Sequence, residues 1–204
     1  MSDIDPHDFP DFPLFPLSSV VFPGGVMPLR IFEPRYVDMV SLCMKGKTGF
    51  GVCALEPGSE GNQSTAPRSV GTLVEIVDFD RLEDGYLGIT VEGDRRFEVL
   101  DRRQADNGLW WGTVRFLQER RDVPCPLEFA GLKRVAEALY DRLGEPYASR
   151  PREYDSAGWL SSRLTELLPF DAATKHALLS TPDPVDRLKH IQPLVRLDEA
   201  GSAD

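Results

Sequence analysis

The chain has 204 residues, a 41% hydrophobic share and a formal net charge of −10. That length suits one good-sized domain or two small ones, and the apolar share is enough for a core, which excludes a wholly disordered chain. The negative balance works against long-range attraction to phosphate backbones, and no stretch approaches the roughly 18–20 apolar residues of a membrane span.

The start, MSDIDPHDF, is acidic and lacks the basic-then-apolar order of a signal peptide. Cys43, Cys53 and Cys125 form no close pair, which argues against a disulfide framework or a zinc knuckle. A cytoplasmic protein without a membrane partner is expected.

In FPDFPLFPLSSVVFPGG (9–25), Phe9-Pro10, Phe12-Pro13 and Phe15-Pro16 recur every three residues, the period of a polyproline II helix. Val20, Val21, Phe22 and a Pro-Gly-Gly turn follow at once. The segment is therefore read as an edge strand with a short entering arm, because proline is tolerated on strand edges. Strand signals continue at Val26–Phe32, Thr48–Leu55, 72–79, Leu87–Val91, 95–103 and 110–117.

One helix interrupts them. Pro34 stands in its first turn, Tyr36, Val37, Val40, Cys43 and Met44 mark one face, and Gly46 stops it. EPGSEGNQSTAPRS (56–69) reads as a mobile loop. After about residue 123 the period becomes helical. Leu132, Val135, Ala136, Leu139, Tyr140 and Leu143 mark one helix closed by Gly144, and Trp159, Leu160, Leu164, Leu167 and Leu168 mark another. Asp171 is placed to cap a short third helix, and Asp183-Pro184 opens a fourth. Strands first and helices after define an α+β protein.

Three blocks resemble a known family. FPLFPLSSVVFPGGVMPLRIFEPRYVDMV (12–40) is similar to the opening of the N-terminal substrate-binding domain of the ATP-dependent protease Lon. GTLVEIVDFDRLEDGYLGITVEGDRRFEVL (71–100) and WLSSRLTELLPFDAATKHALLSTPDPVDRLKHI (159–191) continue the likeness less specifically. The resemblance implies a PUA-like β pseudo-barrel followed by a C-terminal helical bundle. The expected division is 1–122 for the β-rich part with its acidic arm, 123–197 for the bundle and 198–204 for a tail. In 204 residues there is no room for ATPase or Ser-Lys protease modules, so no enzyme is expected.

What remains by resemblance is a non-catalytic module that recognises apolar or unfolded polypeptide segments, alone or beside protease or chaperone partners. A groove where barrel meets bundle would be lined by Met27, Leu29, Phe32 and Tyr36, with Arg30 and Arg35 at its rim. Aromatic and Arg side chains are the common anchors of recognition surfaces. The bland alternative is that Leu29, Phe32 and Tyr36 are core.

Other chemistry is weaker. Gly46-Lys47-Thr48 ends like a phosphate loop, but Ser41 replaces its first glycine and the order is helix, turn, strand. The plainer reading is a Gly46 cap with Lys47 beside the negative helix end. His7, His176 and His190 make no metal-ligand spacing, and neither cofactor nor metal is expected. Glu33, or Asp78 and Asp80 around Phe79, could face a cleft, though strand ends and caps account for them. Arg95, Arg96, Arg102, Arg103, Arg115, Arg120 and Arg121, with Trp110 or Trp111, could form an RNA-binding strip; a small enzyme with an unrecognised site is a further alternative. Nucleic acid is not the expected partner, since the whole chain is acidic.

Overall fold

The computed structural model describes residues 8–55, 66–118 and 123–195. These fall into two compact units. The first contains the described residues through Gln118 together with Pro169–Ser180; the second contains those from Val123 to Leu168 and from Thr181 onward.

The first unit carries β1 (Asp8–Leu17), β2 (Val26–Ile31), α1 (Pro34–Gly46), β3 (Phe50–Leu55), β4 (Pro67–Arg81), β5 (Leu87–Gln104) and β6 (Trp110–Phe116). β1 pairs parallel with β3 and antiparallel with β6. β3 pairs with β4, β4 with β5, and β5 with β6, all antiparallel. The pairings close a circuit through β1, β3, β4, β5 and β6, while β2 lies outside it on β5.

The edge-strand expectation for the Phe-Pro segment is thereby corrected. Asp8–Leu14 pair with β6, and Leu14–Leu17 pair with β3. Each half of β1 has a ladder on one side, so a proline whose nitrogen faces away from that ladder removes no bond. The two strands expected at 87–91 and 95–103 are one, β5. The Pro-Gly-Gly turn holds its midpoint, with Gly24 N donating to Gly93 O and Gly93 N donating to Gly25 O, both at 2.8 Å.

Alternation along the strands builds two apolar layers. Leu14, Cys53, Leu73, Phe97 and Val114, one from each strand of the circuit, form one cluster. Their neighbours Phe15, Val52 and Val74 point the other way and join Tyr36, Met39, Val40 and Cys43 of α1. The first layer is closed by a size match. A Cβ on Gly51 or Gly71 would meet the Phe97 ring at 2.5 or 2.6 Å, so the ring occupies space that two glycines leave open.

The buried face of α1 includes Met39, whereas Val37 and Met44 of the expected face are exposed. Lys47, not Gly46, takes the left-handed conformation after the helix, at φ 50°. Of the loop expected at 56–69, β4 already begins at Pro67, and residues 56–65 lie outside the described residues.

After α2 (Ala130–Tyr140) come α3 (Ala157–Leu167), α4 (Ala172–Ser180) and α5 (Pro184–Ile191), making five α-helices among the described residues. α2 ends at Tyr140, short of the expected Gly144. The second unit holds α2, α3 and α5, with Ser156 capping α3 and Asp183 capping α5 through their side chains. Helix α4 differs from the expected division at residue 122, because it packs in the strand-bearing unit. Its Leu179 joins Val20, Phe22 and Ala54, and Arg96, 1% exposed, donates to the Leu179 carbonyl at 2.6 Å. The expected Asp171 cap of α4 accepts from Thr174 N at 2.7 Å, and that bond holds the Asp171 carboxyl below its ordinary pKa.

Gly71→Ala would bring a Cβ within 2.6 Å of the Phe97 ring and of Cys53 Sγ. It is expected to cost about 1–3 kcal/mol by overpacking. Adding Phe97→Leu should recover part of that loss relative to the sum of the single changes, a coupling that urea denaturation of the double-mutant cycle measures.

Candidate functional site

All six candidate residues lie in the strand-bearing unit, but alternation separates them. Met27 and Leu29 point to the layer that α1 covers and pack against it half-buried. Tyr36 lies within that layer, its ring edge-on to Phe15 at 4.3 Å, and burial raises its phenol pKa. Arg35 is nearly enclosed, with its side chain 11% exposed. It donates to Gly108 O at 2.8 Å, pairs with Glu33 at 2.7 Å and lies over the Tyr36 ring. Arg35 therefore ties the start of α1 to the turn between β5 and β6.

Arg30 and Phe32 are outward and exposed. The Arg30 guanidinium lies over Tyr86 at 4.6 Å and pairs with Asp84 at 2.8 Å. Phe32, 59% exposed, meets Tyr86 edge-on at 6.3 Å. The sequence reading did not include Tyr86. Its signal was the same alternation, continued through Tyr86-Leu87-Gly88 opposite Arg30-Ile31-Phe32.

Of these, Arg30 lines a cleft of about 280 Å³ on the first half of β5 and its neighbours β2 and β4, and the Phe32–Tyr86 pair adjoins it through Arg30. Register aligns two rows across the three strands, Pro28–Thr90–Asp78 and Arg30–Gly88–Asp80. Residues directly opposite share a face, so Arg30 and Asp80 stand on either side of a glycine that has no side chain. Leu82 also lines the cleft, along with Phe79, which is 64% exposed.

The β4–β3 ladder ends at Val74, so the outer side of Glu75–Arg81 has no strand beside it among the described residues. Aspartates occupy part of that side. Phe79 N donates to Asp78 Oδ1 at 2.9 Å, and Arg81 N donates to Asp80 Oδ1 at 2.7 Å. Two donors of the open edge are thus covered by side chains, which makes strand addition there less favourable. Asp78 and Asp80 are edge caps and cleft walls at once.

The RNA strip does not assemble as expected. Arg96 is buried on Leu179, Arg102 donates to Pro67 O, Arg103 pairs with Asp11 and Arg115 with Asp8. Arg95 pairs with Asp94 and lies over Phe116. Trp110 and Trp111 are half-buried against the apolar layers, and Arg120 and Arg121 lie outside the described residues. Carboxylates pair with Arg95, Arg103 and Arg115, and backbone carbonyls occupy donors of Arg96 and Arg102, so these groups compete with a phosphate for the strip.

Cysteine chemistry is equally disfavoured, because burial raises the pKa of Cys43, Cys53 and Cys125 above the ordinary thiol value. Among the described residues, no group of three His, Cys, Asp or Glu side chains is arranged to hold a metal. No described helix is long and apolar enough to cross a membrane.

The family model for the substrate-binding domain of the ATP-dependent protease La (Lon) matches residues 11–196. The chain belongs to this family. A Lon N-terminal domain protein from Xanthomonas campestris is similar in structure, with a TM-score of 0.74 and 36% identity over 91% of this chain and 98% of that one. The N-terminal domain of a Mycobacterium avium complex Lon protease shares the fold at TM-score 0.57 and 17% identity, covering 90% of this chain and 96% of that one. The Lon protease of Cytophaga hutchinsonii is 24% identical over 97% of this chain and 25% of its own length. The chain therefore has the Lon N-terminal domain fold, with a mixed sheet and five described helices, and spans about a quarter of that curated Lon protease.

The two rim arginines should separate in a stability measurement. Arg35→Ala removes charge-assisted bonds from an enclosed site and is expected to cost about 1.5–3 kcal/mol. Arg30→Ala removes an exposed pair and should stay within about 1 kcal/mol. Equal losses in urea denaturation would contradict this assignment.

Proposed function

We propose that this Lon-family domain is a non-catalytic module that recognises apolar or unfolded polypeptide segments in the cytoplasm, alone or delivering them to a protease or chaperone partner. The closed strand circuit is read as its PUA-like β pseudo-barrel, and α2, α3 and α5 as its helical bundle. The observation that carries the binding reading is the exposed Phe32–Tyr86 pair beside the cleft on β2, β5 and β4. Exposed aromatic rings supply binding area with few torsions to immobilise, and the largely apolar cleft gives an extended chain a place to lay side chains.

Grip by side chains is favoured over strand addition, because Asp78 and Asp80 cover the open β4 edge. Of the six candidates, Arg30 and Phe32 act directly in this reading, Leu29 forms part of the cleft lining, and Met27, Arg35 and Tyr36 support the surface from beneath or beside it.

The test is binding of a fluorescein-labelled, reduced and carboxymethylated unfolded protein, followed by anisotropy. Phe32→Ala combined with Tyr86→Ala should weaken binding about five- to thirty-fold, corresponding to roughly 1–2 kcal/mol. Leu127→Ala, which truncates a side chain 93% exposed in the other unit, should leave affinity unchanged. Circular dichroism and thermal melts establish that each variant is folded. Equal affinity for all three proteins would overturn the assignment of the site.

A further inference from the structure

We infer that the cleft selects apolar segments carrying a lysine or arginine over segments carrying an acid, a preference that rests on the polypeptide-binding reading above. The basis is the arrangement of charge around the cleft. Its one described lining cation, Arg30, is already paired with Asp84 at 2.8 Å. Asp78 and Asp80 line the opposite strand, and among the described residues neither has a cation at ion-pair distance. Each uses Oδ1 on a neighbouring backbone N–H, which leaves its second oxygen able to accept from a ligand.

Arg81 does not neutralise the pair from its own strand. It is opposite Leu87, on the other face from the Asp80–Gly88 row, and its guanidinium reaches the Gly85 turn.

Spacing adds a geometric element. Asp78 and Asp80 are two residues apart on one face, roughly 6.5–7 Å along the strand. An extended segment also repeats its side chains on one face at that distance. A peptide lying in the cleft along β4 can therefore place one basic side chain on each carboxylate, while its alternate side chains turn across the cleft towards β2 and the Phe32–Tyr86 pair. A second copy of the chain fits poorly as the occupant, because it would bring the same two aspartates and a net charge of −10.

The experiment uses three labelled eight-residue peptides with identical apolar residues and two Lys, two Gln or two Glu at alternate positions. For the unmodified protein at low ionic strength, affinity should fall in the order Lys, Gln, Glu, with about ten-fold between the extremes and little difference at 1 M salt. Asp78→Asn with Asp80→Asn keeps an oxygen for each backbone N–H but removes the charge, so it should collapse the ten-fold span. Phe32→Ala with Tyr86→Ala should weaken all three peptides together and preserve their order.

Equal binding of the three peptides to the unmodified protein, still lost in the aromatic variant, would overturn the charge preference and leave the polypeptide reading intact. Binding of none would overturn both. A dimer in sedimentation that the Asn variant strengthens and the peptides displace would make a second copy the occupant, and would also overturn the proposal.

Discussion

The strand circuit depends on one fit, the Phe97 ring seated over Gly51 and Gly71. Side chains from one face of all five circuit strands converge in that layer, and a larger residue at either glycine would collide with the ring. A small ring of strands closes when large and small side chains alternate across its interior. The opposite faces of β1, β3 and β4 are then free to build a second layer with α1. Both layers use the same strands, so the two-residue period serves each face at once.

That economy stops where β2 and the ends of β4 and β5 leave the circuit. There, one face still belongs to the second layer through Leu29 and Ile89, while the other carries Arg30, Asp78, Asp80 and Thr90. A three-stranded extension with one supported face is rigid enough to hold a cleft and exposed enough to be reached. At its border Asp78 and Asp80 occupy two N–H donors of an open strand edge, which would otherwise attract any extended chain. Arg35 contributes at a distance by fixing the start of α1, which follows β2 after two residues.

Much of this was readable from the residues. The GVMPLRIFEPRY stretch correctly announced a strand leading into a Pro-started helix, and Asp171 and Asp183 announced helix caps. The position of β1 was not readable, because its prolines report only local backbone limits and cannot tell which half of the strand is paired on which side. The seven-arginine strip failed for a related reason. Composition counts charges, but Arg96 finds its acceptor 83 residues away and Arg115 finds Asp8 across 107. Asp78 and Asp80 were visible as candidate cleft residues. Their second role required the geometry of the β4 edge, and Tyr86 needed the strand alternation to be carried one step beyond the strand itself.

The bond from Arg96 to Leu179 also bears on how the protein is made. The ribosome releases β5 long before α4, and at roughly 5–20 residues per second the interval is on the order of ten seconds. During that time the Arg96 guanidinium lacks the Leu179 carbonyl, and Val20, Phe22 and Ala54 lack the helix that completes their cluster. The strand-bearing unit therefore cannot reach its final state on the growing chain until most of the second unit has also been synthesised. Translation order and folding order diverge over that interval.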